Sequence, residues 1–304
     1  MRARQCRPVG FERENAMEKR NNQQKNKYSR PDQNGQKRMR EGLARSGNSD
    51  AYPAREAEIG NGAVIGRNAV RELLRSGRTV DKILVQSGER EGALIPLVGE
   101  AIARGIPVVE TERRKMDAIS GRAPHQGIIA MAAEKEYCSI EDILSIARER
   151  GEKPLVVVAD GISDPHNLGA VIRCAEGCGA HGLIIPKRHA AGLSPVVSKA
   201  SAGAIEHLAI AKVPNIAAAL EALKKEGLWI FAADADGESV YHTDLNTAAA
   251  IVLGSEGDGV SELVRKRSDF VVSIPMYGKV NSFNVSTAAA VLLCEAARQQ
   301  RSAR

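Results

Sequence analysis

The stretch DPHNLGAVIR, residues 164–173, holds an amide and a guanidinium directly after the apolar run Leu155–Ala159. Pro165 prevents an earlier start of the helix, so Asn167 is expected to be its N-cap. Arg173 follows six residues later, about 240° around that helix, and should face away from Asn167. Taken alone, a helix cap would explain Asn167 and a surface charge would explain Arg173.

A second polar loop, VLGSEGDGV at residues 252–260, has the glycine spacing G-x-x-G-x-G, formed by Gly254, Gly257 and Gly259. This spacing matches neither a dinucleotide fingerprint nor a phosphate-binding P-loop. Such a loop would expose backbone N–H and C=O groups to a ligand, and Glu256 adds a carboxylate. A tight turn with a solvated glutamate would have the same sequence.

The third stretch, residues 274–300, turns at Pro275 and Gly278 and leads into an alanine-rich C-terminal helix. Four polar side chains precede or begin that helix, which is more than one N-cap needs: Asn281, Ser282, Asn284 and Ser286. The small residues 288–290 would let the helix pack closely against another surface, for example a second chain.

These loops require a scaffold, and the pattern from residue 154 onward predicts one. Apolar strand-like runs alternate with helical stretches, which indicates a mainly parallel sheet covered on both faces. Ligands gather at the carboxyl ends of the strands of such sheets. The predicted strands are Leu155–Ala159, Gly182–Ile185, Leu208–Ala211, Trp229–Ala233, Ile251–Gly254 and Val271–Ile274.

Upstream, residues 59–133 predict a smaller α/β domain with helices at Asn68–Arg75 and Ala93–Arg104 and strands at Lys82–Gln86, Ile106–Val109 and Ile128–Ala132. Residues 134–153 are interpreted as a linker and a helix, Ile140–Arg150, opened by a capping box of Ser139 and Asp142. The larger α/β domain occupies residues 154–304. The fold class is therefore α/β in two domains.

The N-terminal residues differ in composition from the rest. Residues 1–50 carry 13 Lys/Arg against 6 Asp/Glu, while the whole chain has a net charge of +6, so the excess of positive charge lies in this segment. Residues 1–58 are poor in aliphatic side chains and are predicted to be a disordered basic tail. Two interpretations stay open: an arm that binds RNA, or a solubilising tail that in part precedes a natural start at Met17.

Composition also limits the class of protein. No apolar stretch approaches the roughly 20 residues that span a bilayer, and no secretory signal is evident, which predicts a soluble protein. The five cysteines form no C-x-x-C pair, which favours reduced thiols in a cytoplasm. Cys174 and Cys178 share a helical face, but without histidines or a second pair at ligand spacing, small buried apolar residues are the preferred interpretation over a metal site.

Taken together and in order, the three loops resemble the motifs of the SpoU/TrmH branch of the SPOUT RNA methyltransferases. The matching residues are Asn167, Gly169 and Arg173, then Gly254, Glu256 and Gly259, then Pro275, Met276, Gly278, Ser282, Asn284 and Ser286. Further upstream, IGRNAVRELL (residues 65–74) and HQGI (residues 125–128) resemble the small substrate-binding domain of bacterial 23S ribosomal RNA guanosine 2′-O-methyltransferases. The resemblance covers roughly residues 60–300. One departure is Phe283, where the family usually has leucine.

This resemblance implies a trefoil-knotted methyltransferase domain, a homodimer, and S-adenosylmethionine as cofactor, without a metal. The implied catalytic residues are Arg173, Asn167, Glu256, Ser282 and Asn284. The implied cofactor-binding residues are Gly254, Ser255, Glu256, Gly257, Ile274, Met276, Ser282, Phe283 and Asn284. A guanidinium is always protonated, so Arg173 is expected to orient a phosphate and stabilise alkoxide character rather than act as a base.

The reacting group would be a ribose 2′-hydroxyl, which makes RNA the natural substrate. Contacts with RNA are predicted for Arg67, Arg71, Arg113, Arg114 and Arg122, although a solvated face is the alternative. Three functions remain: methylation of a guanosine of 23S ribosomal RNA, which the small domain favours; the same chemistry on transfer RNA; or a non-catalytic RNA-binding or ribosome-assembly role. A dehydrogenase is excluded, because the glycine fingerprint is missing.

Overall fold

The computed structural model describes residues 62–88 and 92–302. The prediction of a basic tail at residues 1–58 lies outside these described residues. Along the described ranges, no helix is long and apolar enough to cross a membrane.

The first sheet is small and mixed. Its strands are β1 (Ala63–Ile65), β2 (Val80–Gln86), β3 (Val108–Thr111) and β4 (Ile128–Ala132), in the order β1-β4-β2-β3. Strand β4 runs antiparallel to both neighbours, whereas β2 and β3 are parallel. Helices α1 (Arg67–Ser76), α2 (Ile95–Ala103) and α3 (Arg113–Ile119) accompany it.

The sequence located five of these seven strands and helices and missed two. Strand β1 has only three residues, too few to show a period, and α3 buries a single side chain, Met116. Neither element therefore has the hydrophobic repeat from which a strand or helix is predicted. Helix α1, by contrast, buries Ala69, Val70, Leu73 and Leu74 at helical spacing.

The second sheet has six described strands, all parallel, which confirms the predicted scaffold. They are β5 (Leu155–Ala159), β6 (Gly182–Pro186), β7 (Ala209–Val213), β8 (Trp229–Ser239), β9 (Ala249–Leu253) and β10 (Phe270–Ser273), in the order β10-β8-β9-β5-β6-β7. Every residue of the central strands β5 and β9 is buried. Such continuous apolar strands require a cover of helices on both faces.

Helices provide that cover from two sides. They are α4 (Ile140–Arg150), α5 (Pro165–Gly177), α6 (Pro195–Ala200), α7 (Ile216–Lys225), α8 (Glu262–Arg267) and α9 (Val285–Ser302), with a 3-10 turn at Ala204–Glu206. Alternate residues of β5 face different helices: Val157 packs in one core with α5 and α9, and Val156 packs in the other with α4, α7 and α8. The capping box of α4 is present as predicted, since Ser139 and Asp142 each bind the backbone N–H of the other.

Charged side chains join the small sheet region to the larger one. Arg78, which follows α1, lies 3.1 Å from the carboxylate of Glu206 in the 3-10 turn, and Glu72 lies 2.9 Å from His207. The Glu206 side chain is 2% exposed. Burial raises the pKa of Glu206, and the attraction of Arg78 and Lys135 offsets that effect only in part. The pair therefore contributes little net stability, because the cost of removing both charges from water offsets their attraction.

Two substitutions distinguish the cost of burying the Glu206 charge from its attraction to Arg78. Glu206→Gln removes a charge that burial penalises, so the free energy of unfolding should change by less than about 1 kcal/mol. Arg78→Ala leaves the buried carboxylate without its partner and should cost about 3 kcal/mol, the low end of the usual range because Arg78 keeps some solvent contact. Urea unfolding of both variants measures the difference, and equal losses would contradict it.

Candidate active site

The three polar loops lie at the carboxyl edge of the second sheet, as the parallel pattern predicts. One follows β5 and leads into α5, one follows β9, and one joins β10 to α9. Because β5 and β9 are hydrogen-bonded neighbours, their loops are adjacent although they are about 95 residues apart in sequence. The sheet therefore assembles the site from distant segments.

The start of α5 differs from the prediction. Asp164 is the N-cap, accepting hydrogen bonds from the backbone N–H groups of His166 at 3.1 Å and Asn167 at 3.3 Å, and Pro165 occupies the first helical position. The prediction that Asn167 caps the helix was wrong. Aspartate caps as well as asparagine does, and it stands directly before the proline, where the cap must lie. The Asn167 side chain is left available for other contacts.

That side chain connects all three loops through Asn284. The Asn284 Nδ2 donates to Asn167 Oδ1 at 3.0 Å and to Glu256 Oε1 at 2.6 Å. Its Oδ1 accepts from the backbone N–H of Ser286 at 2.9 Å and from the Ser286 hydroxyl at 2.6 Å. Both N–H groups and the carbonyl oxygen of the amide are used, which fixes its orientation. The first, second and third loops thus share one hydrogen-bonded group at the start of α9.

The loop after β9 folds back tightly on itself. Ser255 and Gly259 exchange backbone hydrogen bonds of 2.9 and 3.2 Å, and Gly257 and Gly259 have φ of 99° and 68°. A Cβ on Gly254 would lie 2.0 Å from the backbone carbon of Gly259. The G-x-x-G-x-G spacing therefore has a structural basis: two glycines take left-handed conformations, and the first allows the loop to close.

A cavity of about 610 Å³ opens between these loops. All nine residues predicted to bind the cofactor line it: Gly254, Ser255, Glu256, Gly257, Ile274, Met276, Ser282, Phe283 and Asn284. Its volume lies in the range of small-molecule sites, and closely placed glycine backbone leaves room and hydrogen-bonding groups for a polar ligand. The residues present fit a nucleoside-type cofactor, and their roles in binding it stay a prediction.

One wall of this cavity and one hydrogen bond between its loops are not predicted from the sequence. Ala233, Asp234 and Ala235 line the cavity because β8 continues to Ser239, beyond its predicted end. Asp160 accepts a hydrogen bond of 2.8 Å from the backbone N–H of Ser261, which ties the end of β5 to the loop after β9. A polar residue directly after a buried strand was the available signal for Asp160.

Arg173 occupies a different position from the other predicted catalytic residues. It lies on the exposed side of α5, while Asn167 is buried, in agreement with the angle expected from their spacing. It is not among the residues that line the cavity. Within the part of the chain that the structure describes, its guanidinium has no hydrogen bond or ion pair, so it is free to bind a phosphate or another chain.

Three of the predicted RNA-binding arginines have partners within the small domain. Arg67 Nε donates to the backbone carbonyl of Gln126 at 3.0 Å, Arg71 donates to Asn68 at 2.9 Å, and Arg113 lies 3.8 Å from Asp117. Arg114 and Arg122 are exposed. All five lie in the small domain, and contact with RNA stays a prediction for each of them.

The cysteines of α5 pack as small apolar side chains. Cys174 and Cys178 contact the core between α5 and α9, and the Cys178 sulfur lies 3.4 Å from that of Cys294. Burial raises the pKa of the Cys178 thiol to about 12. Among residues 62–88 and 92–302, no group of histidine, cysteine and carboxylate side chains could hold a metal ion.

Close packing of α5 on α6 depends on Gly169. A Cβ there would lie 2.4 Å from the Cβ of Ala200 and 2.8 Å from the Val197 carbonyl oxygen. Gly169→Ala should therefore separate the helices and cost about 2 kcal/mol of stability. Thermal unfolding should show a midpoint several degrees lower. The control is Gly177→Ala on the same helix, where a Cβ meets open space; equal midpoints for the two variants would refute the role of Gly169.

Comparison with known proteins agrees with this site. The SpoU rRNA methylase family profile matches residues 154–294, and the profile for RNA 2′-O ribose methyltransferase substrate binding matches residues 63–138. YacO of Bacillus subtilis, assigned to the TrmH family of tRNA/rRNA methyltransferases, is 41% identical over 239 residues, which are 78% of this chain and 95% of that protein.

Solved structures lead to the same family. The SpoU methyltransferase AviRb from Streptomyces viridochromogenes, in complex with AdoMet, has a TM-score of 0.65 and 26% identity over 79% of this chain and 90% of AviRb. A structure described as an RNA 2′-O ribose methyltransferase has a TM-score of 0.65 and 26% identity, over 79% of this chain and 88% of that chain. The identity and coverage of these relatives, with the polar loops in place, show that the chain belongs to the SpoU/TrmH family of S-adenosylmethionine-dependent RNA methyltransferases.

Proposed function

We propose that this protein transfers a methyl group from S-adenosylmethionine to the 2′-hydroxyl of a ribose in RNA, and that its substrate is a guanosine of 23S ribosomal RNA. The observation that carries the proposal is the Asn284 side chain, which holds the Asn167 and Glu256 loops together at the edge of the cavity. A protein that only binds RNA has no evident need for hydrogen bonds that hold these two loops together.

The chemistry requires an aligned hydroxyl and a place for its proton. When bound, S-adenosylmethionine supplies an electrophilic methyl group on a positively charged sulfur. The ribose hydroxyl must lie in line with that methyl group and lose its proton as the new bond forms. Glu256 and Asn284 line the cavity, and we assign them the positioning of the reacting groups there.

Arg173 is proposed to act on the charges of the RNA, whereas Glu256 and Asn284 position the reacting groups. A guanidinium is a hydrogen-bond donor and not an acceptor, so Arg173 does not take the proton. It binds the phosphate beside the target ribose and stabilises negative charge on the attacking oxygen, while the proton passes to another acceptor. Its exposure on α5 is compatible with that role.

By analogy with the ribosomal RNA enzymes that it resembles, the presence of a separate small domain favours ribosomal RNA as the substrate class. Its sequence matches a profile for RNA 2′-O ribose methyltransferase substrate binding over residues 63–138. Methylation of transfer RNA is the alternative. A homodimer and a knotted catalytic domain, which the family resemblance implies, complete the proposal, together with a cytoplasmic location, which the cysteine pattern favours.

The test is a methylation assay with tritiated S-adenosylmethionine. The RNA substrates are ribosomal RNA and ribosomal precursor particles from a strain that lacks the gene, and total transfer RNA. Label that maps to a 2′-O-methylguanosine of the large-subunit RNA is the expected result. Label in transfer RNA alone would overturn the substrate and keep the chemistry. No label in any of the three would overturn the enzymatic function and favour a binding protein.

A further inference from the structure

The loop between β6 and α6 carries three consecutive basic or titratable side chains, Lys187, Arg188 and His189. All three are exposed. In the segments that the structure describes, none of these side chains has a hydrogen bond or an ion pair. Other surface cations of the same domain are neutralised, for example Arg265 by Asp236 at 2.7 Å and Arg267 by Glu221 at 2.7 Å. The loop therefore presents positive charge that the fold itself does not use.

This loop belongs to the same edge of the sheet as the cavity. Strand β6 pairs with β5, so its carboxyl end lies beside the loop that leads to Arg173. A Cβ placed on Gly161 would lie 4.0 Å from the carbonyl oxygen of His189 and 3.6 Å from the Cβ of Ser255 in the cavity wall. Gly161 is thus the point where the basic loop and the loop after β9 come close together.

The backbone holds the three side chains in a defined position. The Lys187 N–H donates to the Val213 carbonyl at 2.8 Å, and the Ala191 N–H donates to the Ile162 carbonyl at 2.9 Å, one bond on each side of the triplet. His189 has φ of 57°, a left-handed conformation that costs a non-glycine residue energy and is found mostly where surrounding structure enforces it. A loop fixed in this way loses little entropy when it binds a ligand.

Charge is distributed unevenly along the edge. Strand β8 and the loop after β9 carry five carboxylates: Asp234, Glu256 and Asp258 line the cavity, and Asp236 and Glu238 follow Asp234 along β8. Arg265 pairs with two of them, Asp234 at 3.0 Å and Asp236 at 2.7 Å. On the β6 side, the carboxylates of Asp160 and Asp164 both accept hydrogen bonds from backbone N–H groups. A polyanion that crosses this edge would be repelled on the β8 side and attracted on the β6 side.

We propose that the β6–α6 loop is a phosphate-binding element, which directs the RNA backbone from the target ribose past Arg173 and over Lys187 and Arg188. The inference rests on the proposed function for its RNA ligand. Lys187 and Arg188 each contact a phosphate of the RNA beside the modified nucleotide. The acidic β8 side repels the RNA backbone and so excludes the opposite path across the sheet edge. The loop thereby orients the RNA strand across the site without recognising its base sequence.

The test uses the salt dependence of RNA binding by the full chain. The variant is Lys187→Ala/Arg188→Ala, and the probe is a fluorescein-labelled single-stranded RNA of mixed sequence, about 20 nucleotides long, followed by anisotropy. The matched control is Arg150→Ala/Lys225→Ala, which removes two exposed cations at the opposite, amino-terminal edge of the sheet. Circular dichroism and binding of S-adenosylmethionine check that both variants are folded.

Two lost phosphate contacts should reduce the slope of log Kd against log salt by about 1.4, since each contact on a single strand contributes about 0.7. Binding at moderate salt should weaken by about tenfold in the loop variant and stay near wild type in the control. Equal slopes in the two variants would overturn the inference. This measurement requires no methyl transfer. If the loop variant showed the reduced salt slope but the wild-type protein methylated no RNA, the proposed function would be wrong and the phosphate-binding role of the loop would stand.

Discussion

Arg173→Ala is expected to reduce the rate of methyl transfer by about 1,000-fold, with S-adenosylmethionine affinity unchanged. The loss has the size seen when one group that stabilises developing negative charge is removed from an enzyme site. The affinity should survive because Arg173 does not line the cavity. Single-turnover rates with saturating RNA and calorimetric binding of S-adenosylmethionine measure the two quantities separately.

Arg173→Lys tests how the charge acts. Lysine keeps the charge but not the planar pair of donors, so it should restore part of the rate and leave it well below wild type. A rate for Arg173→Ala within about tenfold of wild type would show that the guanidinium is a surface charge. A loss of cofactor affinity equal to the loss of rate would instead place Arg173 in the cofactor site.

Gly254→Ala is expected to weaken S-adenosylmethionine binding by at least about 100-fold. The new Cβ would lie 2.0–2.3 Å from backbone atoms of Gly259 and Val260, which cannot move without opening the loop after β9. That loop lines the cavity and carries Glu256, so a displacement of about 1 Å disrupts several contacts at once. Calorimetric titration with S-adenosylmethionine measures the loss.

A glycine at the same edge of the sheet provides the control. At Gly278, in the loop between β10 and α9, a Cβ would meet no atom within 4 Å, so Gly278→Ala should leave the affinity within about twofold. If Gly254→Ala bound S-adenosylmethionine as well as Gly278→Ala does, the tight closure of the loop would not be required for the cavity. The thermal midpoints of both variants show whether any loss is confined to the site.

The sequence by itself determined the helices and strands that are specified by residues close together in the chain. The continuous apolar run Leu155–Ala159 predicted a doubly covered parallel strand, and β5 has these bounds. Ser139 and Asp142 predicted the start of α4, because a capping box involves only four consecutive residues. The order of the three polar motifs also sufficed to indicate the family and its cofactor, since it requires no knowledge of distances.

Only the tertiary structure decided which of these residues meet. Asn167 and Asn284 are 117 residues apart, and nothing in either segment shows that one amide bonds to the other. The sequence offered Asn167 a local role as a cap, which the structure assigns to Asp164. The wall formed by Ala233–Ala235 was likewise invisible, because the end of β8 depends on its pairing with β10 rather than on its own composition. Local propensities determine the helices and strands, whereas strand order along the sheet decides which loop ends become neighbours, and with them the site.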